Sequence, residues 1–481
     1  MKKGEKIELE ITGYAYEGKG IAKVDFESIE TVIEENDNKK FVVFVNGSYP
    51  GDKVSATIRK KKSRYAEAGI DKIISPSPNR IEAKCKYFKY CGGCKAQDLN
   101  YETQLKYKEE QVLEIFEKLG GFSDFESLPI VSSEKTFFYR NKMEFSFADK
   151  RWLTPEELNN EEIENRNFAL GLHIPRIFDK VLDIEECWLQ SEESNKILNF
   201  TRNFFRERET TIYSTKTHEG YLRNLIIKTA HHTNDLMVNL VTSSENELLF
   251  TEYAENIKTE IPEITTIINN INVKKSQTAI GDFEKVYLGE GFIYDEIGDF
   301  KFRISANSFF QTNTLQAKNL YETAYEFAEL TGDEIVYDLY SGAGTISIYV
   351  SKKAKMVFGF ESVEPAVKDA KANAEFNNVK NVRFFTANLD KSFLPIIKEK
   401  NTPKPGLIIA DPPRSGMNPK TVSDILSLKP KKIVYVSCNP ATQARDIKVL
   451  LEGGYKLVKY KPVDMFPHTY HIENVALLIL I

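Results

Sequence analysis

A lone cysteine near the C-terminus, Cys438, has surroundings typical of a nucleophile. It closely follows the apolar run at 432–436, so it stands at the carboxyl end of a predicted strand. Reacting groups and ligands gather at this end of the strands in α/β sheets. A single cysteine is often a small buried side chain, but Ser437, Asn439 and Pro440 are poor neighbours for an apolar core. We therefore interpret Cys438 as a covalent nucleophile.

Two carboxylates stand at the ends of further predicted strands. Asp411 follows the apolar run 406–410 and opens Asp-Pro-Pro-Arg, in which the prolines fix the backbone of a turn. Glu473, in His-Ile-Glu-Asn-Val, stands at the start of the last predicted strand. In another setting the first motif is only a turn and Glu473 only a surface acid. Beside a nucleophile, Glu473 is our candidate for a general base.

The segment from Asp338 to Thr345, Asp-Leu-Tyr-Ser-Gly-Ala-Gly-Thr, has the composition of a ligand-binding turn. It ends a predicted strand and opens a helix, and its glycines allow a ligand to approach the backbone closely. Ser347 occupies the place of the third glycine of the dinucleotide fingerprint, which disfavours a pyrophosphate ligand. Glu361 follows the next strand, where a carboxylate can accept the hydroxyls of a ribose. This combination favours S-adenosylmethionine.

These groups together suit the methylation of carbon C5 of uracil. That carbon is too weak a nucleophile to take a methyl group directly from a sulfonium. Addition of a thiolate at C6 makes an enolate whose C5 attacks the methyl group, and a base must then remove the C5 proton so that the thiol can leave. Cys438 and Glu473 have the residue types for the two roles.

The surrounding elements divide the chain into three predicted domains. Residues 1–75 consist of short strands between Gly and Pro turns, typical of a small OB-like β-barrel, and Ser-Pro-Ser-Pro at 75–78 predicts a linker. Residues 79–310 predict an α+β domain with a helix over 101–119 that can pack on the next domain. From 311 to 481, helices alternate with short strands, and two final strands form an antiparallel pair. This predicts a class I, Rossmann-like α/β methyltransferase fold.

The other four of the five cysteines form a second candidate site. Cys85, Cys91 and Cys94 are clustered as C-x5-C-x2-C, and Cys187 is distant. Four thiolates suit either tetrahedral zinc or an iron–sulfur cluster, and the three-plus-one spacing differs from the paired C-x-x-C knuckles usual for zinc. An odd number of cysteines argues against a disulfide framework.

From Asp338 to the C-terminus, the chain resembles the RNA uracil-C5 methyltransferase family. The resemblance is carried by Asp-Pro-Pro-Arg at 411–414, Ser-Cys-Asn-Pro-Ala-Thr at 437–442 and His-Ile-Glu-Asn-Val at 471–475. It implies that Cys438 is the nucleophile and Glu473 the proton-abstracting base. It also implies a set of cofactor contacts, which are Gln311, Tyr340, Thr345, Glu361, Asn388 and Asp411.

The resemblance extends to the remaining segments. Phe309, in Asn-Ser-Phe-Phe-Gln, matches an aromatic that helps hold the flipped base, and Arg140 and Asn141 match a block that helps position the RNA. The cysteine spacing resembles the cluster-bearing 23S rRNA branch of the family, which implies a structural [4Fe-4S] centre. The N-terminal segment resembles a TRAM domain through Gly-Tyr-Ala-Tyr-Glu-Gly-Lys-Gly-Ile-Ala at 13–22 and Pro-Gly-Asp at 50–52.

Charge and composition leave RNA as the expected partner. The net charge of −5 and pI near 5.9 do not favour nucleic acid, but binding depends on local patches. Residues 59–64, Arg-Lys-Lys-Lys-Ser-Arg, are either a solvated strand end or, by the TRAM resemblance, a surface for the RNA backbone. No apolar run approaches the roughly 18 residues of a membrane span, and no apolar signal region opens the chain. We expect a cytoplasmic enzyme that binds no membrane and needs no protein partner.

The expected activity is that of an RNA (uracil-5-)-methyltransferase acting on a uridine of 23S rRNA, with transfer RNA as the nearest competitor. Two other classes of function stay open: an RNA-binding or ribosome-assembly factor with a spent active site, and a small-molecule methyltransferase. The presence of Cys438, Glu473 and Asp411 argues against the first, and the basic N-terminal barrel argues against the second.

Overall fold

In the part of the chain that the structure describes, the strands form three sheets of six, eight and eight strands and a separate two-stranded hairpin. The computed structural model of the 481-residue chain describes residues 1–24, 41–158, 160, 163, 165–175, 177, 179–275 and 278–481. Each large sheet packs against apolar side chains of its own helices. No helix in this described part of the chain is long and apolar enough to cross a membrane.

The N-terminal segment folds into a small barrel. Its strands are β1 (Lys6–Glu10), β2 (Gly13–Ala15), β3 (Lys19–Val24), β4 (Phe41–Asn46), β5 (Lys53–Lys61) and β6 (Tyr65–Ser75), ordered β1-β5-β6-β4-β3-β2. Ile11 donates its backbone N–H to Asp52 at 2.9 Å and Thr12 donates to Ile21 at 2.8 Å. The bent chain between β1 and β2 therefore joins the two edges of the sheet and closes the barrel.

The Ser-Pro-Ser-Pro segment, predicted as a linker, is firmly held. Ser77 is buried, and its backbone N–H donates to the Asp52 carboxylate at 2.7 Å. Arg80 forms an ion pair with the same carboxylate at 2.8 Å and a second one with Asp98. Its guanidinium also lies 4.5 Å from the centre of the Tyr49 ring. This network fixes the barrel against the segment that follows it.

The helix predicted over 101–119 consists of a regular helix and a π-helix. The elements of this segment are α1 (Tyr101–Glu114), the π-helix (Ile115–Gly120) and the short strand β7 (Glu126–Ser127). The Asn100 side chain caps α1, and Gly121 ends the π-helix with a φ of 71°, a left-handed conformation that favours glycine.

These helices pack on the C-terminal domain. The Phe116 ring lies 4.8 Å from the Tyr460 ring, centroid to centroid. The ammonium group of Lys108 is 2.6 Å from the Asp464 carboxylate, and both side chains are buried. Removing one partner of such a pair would leave an uncompensated buried charge, so this contact holds the segment firmly in place.

The central domain is built on an eight-stranded sheet ordered β15-β14-β13-β12-β8-β10-β11-β9. Its elements are β8 (Lys142–Ala148), β9 (Arg151–Trp152), α2 (Pro155–Leu158), β10 (Ala169–His173), β11 (Val181–Asp183), α3 (Glu192–Glu207), β12 (Leu222–Thr229), β13 (Leu236–Thr242), α4 (Glu247–Glu260), β14 (Thr266–Ile271) and β15 (Phe283–Leu288). Phe205 of α3 and Phe250 of α4 are fully buried in the core of this domain.

The C-terminal domain has the mixed sheet expected of a class I methyltransferase. Its elements are β16 (Phe292–Ile297), β17 (Phe300–Ser305), α5 (Thr314–Ala328), β18 (Ile335–Leu339), α6 (Thr345–Val350), β19 (Met356–Glu361), α7 (Glu364–Phe376), β20 (Val382–Thr386), α8 (Leu394–Glu399), β21 (Leu407–Ala410), α9 (Pro419–Leu428), β22 (Lys432–Ser437), α10 (Pro440–Glu452), β23 (Tyr455–Val463) and β24 (Glu473–Leu480). The sheet order is β20-β19-β18-β21-β22-β24-β23-β7, with β24 antiparallel to both of its main neighbours.

The β16–β17 hairpin packs with the C-terminal domain, although the predicted boundary at 310 assigns it to the central domain. The backbone N–H groups of Lys301 and Arg303 donate to the side chains of Asn377 and Asn373, at 2.9 and 2.8 Å. Apolar residues of the hairpin, such as Phe302, join the core formed with α5 and α7.

Candidate active site

The carboxyl ends of neighbouring parallel strands form the candidate active site. Strands β18, β21 and β22 lie side by side, so the glycine turn, Asp411 and Cys438 follow them at one edge of the sheet. Strand β24 runs antiparallel to β22, and its register pairs Ser437 with Asn474. Glu473, the first residue of β24, is therefore brought to the same edge as Cys438.

Burial and mutual repulsion oppose the ionisation of this group of side chains. Burial, with Glu473 and Asp411 nearby, raises the pKa of Cys438 to about 12, although Arg414 acts in the other direction. Burial raises the pKa of Asp411 to about 7. Burial, together with the neighbouring Asp411, raises the pKa of Glu473 well above its usual range. Two adjacent carboxyl groups do not ionise together readily, so the pair retains a proton near neutral pH.

The loop that carries Cys438 is tied to the Asp-Pro-Pro-Arg loop through Asn439. The Asn439 side-chain N–H donates to the Arg414 carbonyl at 3.1 Å, and its Oδ1 accepts from the backbone N–H of Ala441 at 3.1 Å, which caps α10. Ser437, expected to be an unsuitable core neighbour, is 1% exposed, because its hydroxyl is satisfied by the Asn439 carbonyl at 3.2 Å. Cys438 itself remains partly exposed.

The glycine turn adopts the close-approach geometry that its sequence predicts. Gly344 has a φ of 81°, and a Cβ there would lie 2.7 Å from the Phe384 ring. The Gly342 N–H donates to the Glu361 carboxylate at 3.0 Å. No residue with a side chain fits at Gly344 without displacing that ring, so packing requires a glycine there. A Cβ on Gly342 would meet nothing within 4 Å, so the turn leaves space for a ligand at that position.

Two further predicted cofactor residues flank this turn. Tyr340 adopts a φ of 66°, which is uncommon for a bulky residue and signals a constrained site. Thr345 begins α6, with its hydroxyl 2.9 Å from the Tyr321 hydroxyl. The backbone of Tyr340, the start of α6 at Thr345 and the Glu361 carboxylate thus lie around the glycine turn; their contact with the cofactor stays a prediction.

Asp338 belongs to this site, although the predicted cofactor set does not include it. Its Oδ2 accepts from the Ser347 hydroxyl at 2.6 Å, and its Oδ1 has no hydrogen-bond partner among the described residues. Burial raises its pKa to about 7. An unsatisfied buried oxygen is costly, and one beside a ligand-binding turn fits a site completed by its ligand. Its position at the end of β18 is the signal that identifies it.

The other two predicted cofactor residues lie in loops. Gln311 is 9% exposed, in the loop between β17 and α5. Asn388 is exposed, and its side-chain oxygen accepts from the Asp390 N–H at 2.9 Å. Phe309, in the same loop as Gln311, is 70% exposed, which leaves its ring available for stacking.

Asn141 lies behind the Gln311 loop, away from the surface. Its side-chain N–H groups donate to the Gln311 carbonyl at 2.8 Å and to the Thr314 hydroxyl at 2.7 Å. Asn141 is 8% exposed and holds the loop that carries Phe309, so its expected help in positioning RNA stays a prediction. Lys228, which sequence reasoning missed, also holds this loop, because its ammonium donates to the Ser305 and Ser308 carbonyls at 2.7 and 3.0 Å.

The four clustered and distant cysteines line one cavity of about 250 Å³ in the central domain. The backbone N–H of Gly93 points to Cys91 Sγ at 3.3 Å, and the Gln97 amide points to Cys94 Sγ at 3.5 Å. Burial raises the pKa of Cys94 to about 12. Within the described residues, no group of three or more His, Cys, Asp or Glu side chains is arranged to hold a metal ion.

Arg140 separates the cysteine cavity from a larger cleft of about 740 Å³, and it lines both. Its backbone N–H donates to Leu189 at 2.8 Å, two residues beyond Cys187. The charge of Arg140 lowers the pKa of Cys187, although burial raises that pKa overall to about 11. The residue expected to position RNA therefore lies beside the thiols.

Comparison with known proteins identifies the family. The family model described as tRNA (Uracil-5-)-methyltransferase matches residues 227–480. An uncharacterized RNA methyltransferase of Chlorobaculum tepidum is 43% identical, over 99% of this chain and 96% of its own length. One of Bacteroides thetaiotaomicron is 45% identical, over 96% of this chain and 99% of its own length. The chain belongs to this RNA uracil-5-methyltransferase family.

Further comparisons cover the whole methyltransferase. A TRAM domain model matches residues 1–70, the barrel. The solved structure of Pyrococcus abyssi tRNA (uracil-54, C5)-methyltransferase in complex with S-adenosyl-L-homocysteine is 30% identical, with a TM-score of 0.73 over 98% of this chain and 99% of that one. The prediction of an S-adenosylmethionine-dependent RNA methyltransferase with an N-terminal TRAM domain is confirmed.

The raised pKa of Cys438 gives a test of the site's electrostatics. In the methyltransferase without ligands, alkylation of Cys438 by iodoacetamide should accelerate about tenfold per pH unit up to about pH 11, because the thiolate is the reactive form. Asp411→Asn removes a neighbouring negative charge, lowers the pKa of Cys438 and should speed alkylation several-fold at pH 8. Mass spectrometry of the Cys438 peptide measures the rate. Asp299→Asn, on the β16–β17 turn, is the control; equal rates in all three proteins would contradict the electrostatic account.

Proposed function

We propose that the chain methylates carbon C5 of a uridine in RNA through a transient bond between Cys438 Sγ and C6 of the base. The single observation that carries this proposal is the antiparallel pairing of β22 and β24, which brings Cys438 and Glu473 to the sheet edge that also holds Asp411. A thiol, a carboxyl group that can accept a proton and a glycine turn at one edge are the groups that this chemistry requires.

The residues divide the steps as follows. The partly exposed Cys438 thiol gives its proton to water, and its thiolate Sγ adds to C6 while the π pair of the C5–C6 double bond moves onto C5 and O4. The glycine turn, with Asp338 and Glu361, would hold S-adenosylmethionine, which would supply the methyl group to C5 and leave as S-adenosylhomocysteine. The Glu473 carboxylate then takes the C5 proton, the electron pair of that C–H bond re-forms the C5–C6 double bond, and the Cys438 thiolate leaves. The base must leave its stack to reach this site, and the exposed Phe309 ring suits a contact with it.

Formation of the Cys438 thiolate is favoured only in the loaded site. In the protein alone, nearby acids and burial keep the pKa of Cys438 at about 12. A positively charged sulfonium beside Asp411 would offset the repulsion between the thiolate and the carboxylates. The arrangement therefore couples activation of the nucleophile to the presence of the methyl donor.

Covalent trapping tests the proposed chemistry. With RNA containing 5-fluorouridine, which has no C5 proton to remove, the wild-type chain should form a stable protein–RNA adduct that gel electrophoresis detects. Cys438→Ala should form none and lose turnover by at least about a thousandfold, while it binds S-adenosylmethionine normally. Glu473→Gln should accumulate an adduct on ordinary RNA, because C5 keeps its proton. The exposed Glu452→Gln is the matched control, and turnover by Cys438→Ala would contradict the scheme.

The proposed substrate is a uridine of 23S rRNA. The four-cysteine pattern supports this choice through its resemblance to the cluster-bearing rRNA branch. A second candidate, transfer RNA, is favoured by a specific observation: the Pyrococcus abyssi protein that matches the chain over 98% of its length is a tRNA methyltransferase. That match includes the barrel, so the domain arrangement is compatible with either RNA. The presence of Cys438, Glu473 and Asp411 argues against an RNA-binding factor with an inactive site. The N-terminal barrel argues against a methyltransferase for small molecules.

Labelling of separate RNA pools distinguishes the two candidates. Incubation with tritiated S-adenosylmethionine should label 23S rRNA from a strain that lacks the protein, and Cys438→Ala should label no RNA. Mass spectrometry should then find 5-methyluridine in the labelled fragment. Label confined to the transfer RNA pool would contradict the rRNA assignment, while leaving uracil-C5 chemistry intact.

We also propose a structural [4Fe-4S] cluster held by Cys85, Cys91, Cys94 and Cys187, in a chain that works in the cytoplasm. Two features support the cluster: the four thiols share one cavity, and two N–H groups point to their sulfurs. In other proteins, N–H groups that donate hydrogen bonds to cluster sulfurs adjust the reduction potential of the cluster.

Iron analysis tests the cluster. Protein purified without oxygen should contain about four iron atoms and about four inorganic sulfides per chain, with the broad visible absorption of a cluster. Cys187→Ser should lose much of both. Cys438→Ser is the matched control, because it alters the one cysteine outside the set. Retention of full iron in Cys187→Ser, or zinc in place of iron in the wild-type chain, would contradict the proposal.

A further inference from the structure

The turn between β2 and β3 of the TRAM barrel reaches the loop of the proposed nucleophile. The Tyr16 hydroxyl donates to Asn439 Oδ1 at 3.1 Å, and Asn439 is the residue directly after Cys438. Nearby, a Cβ on Gly18 would lie 3.5 Å from Tyr470 Cβ, so the turn also packs against the loop that leads to Glu473. Burial, with Cys438 close by, raises the pKa of Tyr16 to about 12, which keeps this hydroxyl a neutral donor.

The barrel is fixed firmly enough to make this contact specific. The Tyr14 ring lies 5.0 Å from the Tyr107 ring and 5.7 Å from the Tyr49 ring, centroid to centroid. The Tyr49 hydroxyl in turn donates to the Asp98 carboxylate at 2.6 Å. These ring contacts hold the barrel against α1 and the segment that precedes α1. Tyr14, which makes them, is two residues from Tyr16 along the chain. Because the barrel is held in place by these contacts, the Tyr16 hydroxyl has a fixed position next to Asn439.

Three hydrogen bonds fix the orientation of the Asn439 amide. Its Oδ1 accepts from Ala441 N–H as the cap of α10 and from Tyr16, and its N–H donates to the Arg414 carbonyl. The cap and the Arg414 bond come from the catalytic domain itself, while Tyr16 belongs to another domain. A small displacement of a nucleophile lowers the rate of an addition strongly, so a restraint on the residue after Cys438 affects chemistry directly.

We propose that Tyr16 is a positioning residue of the active site, supplied by the TRAM barrel. Through Asn439 it holds the Cys438 loop in the geometry from which Sγ adds to the base. The inference rests on the proposed covalent function. It gives the barrel a role in the reaction step, in addition to any role in binding RNA.

Substitution of Tyr16 by Phe removes only the hydroxyl and keeps the ring. We expect the rate of methyl transfer in a single turnover, at saturating RNA and S-adenosylmethionine, to fall about three- to tenfold, the effect of one hydrogen bond. The rate of trapping by 5-fluorouridine RNA should fall equally, while the Kd for RNA and the KM stay within about twofold. Tyr65→Phe, elsewhere on the barrel, is the matched control. An unchanged rate, or a raised KM with an unchanged saturated rate, would overturn the proposal; the second result would mean that the hydroxyl binds RNA.

A double-mutant cycle with Asn439→Ala tests the hydrogen bond itself. Because both single variants remove the same bond, Tyr16→Phe should have little further effect in the Asn439→Ala background. Additive losses would show that Tyr16 acts by another route. If the wild-type chain methylates no uracil, the proposed function fails, and the same cycle measured on the melting temperature still tests the hydrogen bond between Tyr16 and Asn439. Shifts that add fully in that measurement would also overturn the inference.

Discussion

The opposite directions of β22 and β24 are the constraint on which the active site depends. In a purely parallel sheet, the first residue of the last strand would lie at the far edge from the nucleophile. Here the antiparallel register of Ser437 with Asn474 puts the start of β24 beside the end of β22, so Cys438 and Glu473 meet without any long loop. The buried strands on either side make this placement rigid. Two residues that are distant along the chain thus become neighbours in space, because the last strand runs in the opposite direction.

This placement has an electrostatic cost that the protein alone does not relieve. Asp338, Asp411 and Glu473 all have raised pKa values, with burial as the main cause, and Asp338 Oδ1 has no partner within the described part of the chain. Groups held in conflict with their surroundings are typical of functional sites. A cationic ligand is the species that reverses each of these penalties. The acids therefore make the empty site unfavourable and the loaded site favourable, which is what preorganised binding of a sulfonium requires.

The sequence is informative where a pattern is local and silent where a contact is distant. The strands that carry Asp411 and Cys438 follow from short apolar runs, and Glu473 does begin the last strand. The predicted boundary at 310 places the β16–β17 hairpin before the methyltransferase domain, whereas the backbone of the hairpin donates hydrogen bonds to Asn373 and Asn377, contacts that no local pattern encodes. The resemblance around Asn141 implies help in positioning RNA, but it does not encode the hydrogen bonds by which the Asn141 amide holds the Gln311 loop. The bond between Tyr16 and Asn439 joins residues 423 positions apart, and no periodicity encodes it.

The loop before Glu473 accepts hydrogen bonds from the segment that follows the clustered cysteines and from the central domain. The His468 carbonyl accepts from the N–H groups of Lys95 and Ala96, at 2.7 and 3.0 Å, and these two residues directly follow Cys94. The Tyr139 hydroxyl of the central domain donates to the Pro467 carbonyl at 3.0 Å. Any group that orders the cysteine segment would thereby order the loop that carries the proposed base. The cysteine site and the TRAM barrel lie outside the catalytic sheet, but each is one hydrogen bond away from a loop that holds a reacting residue.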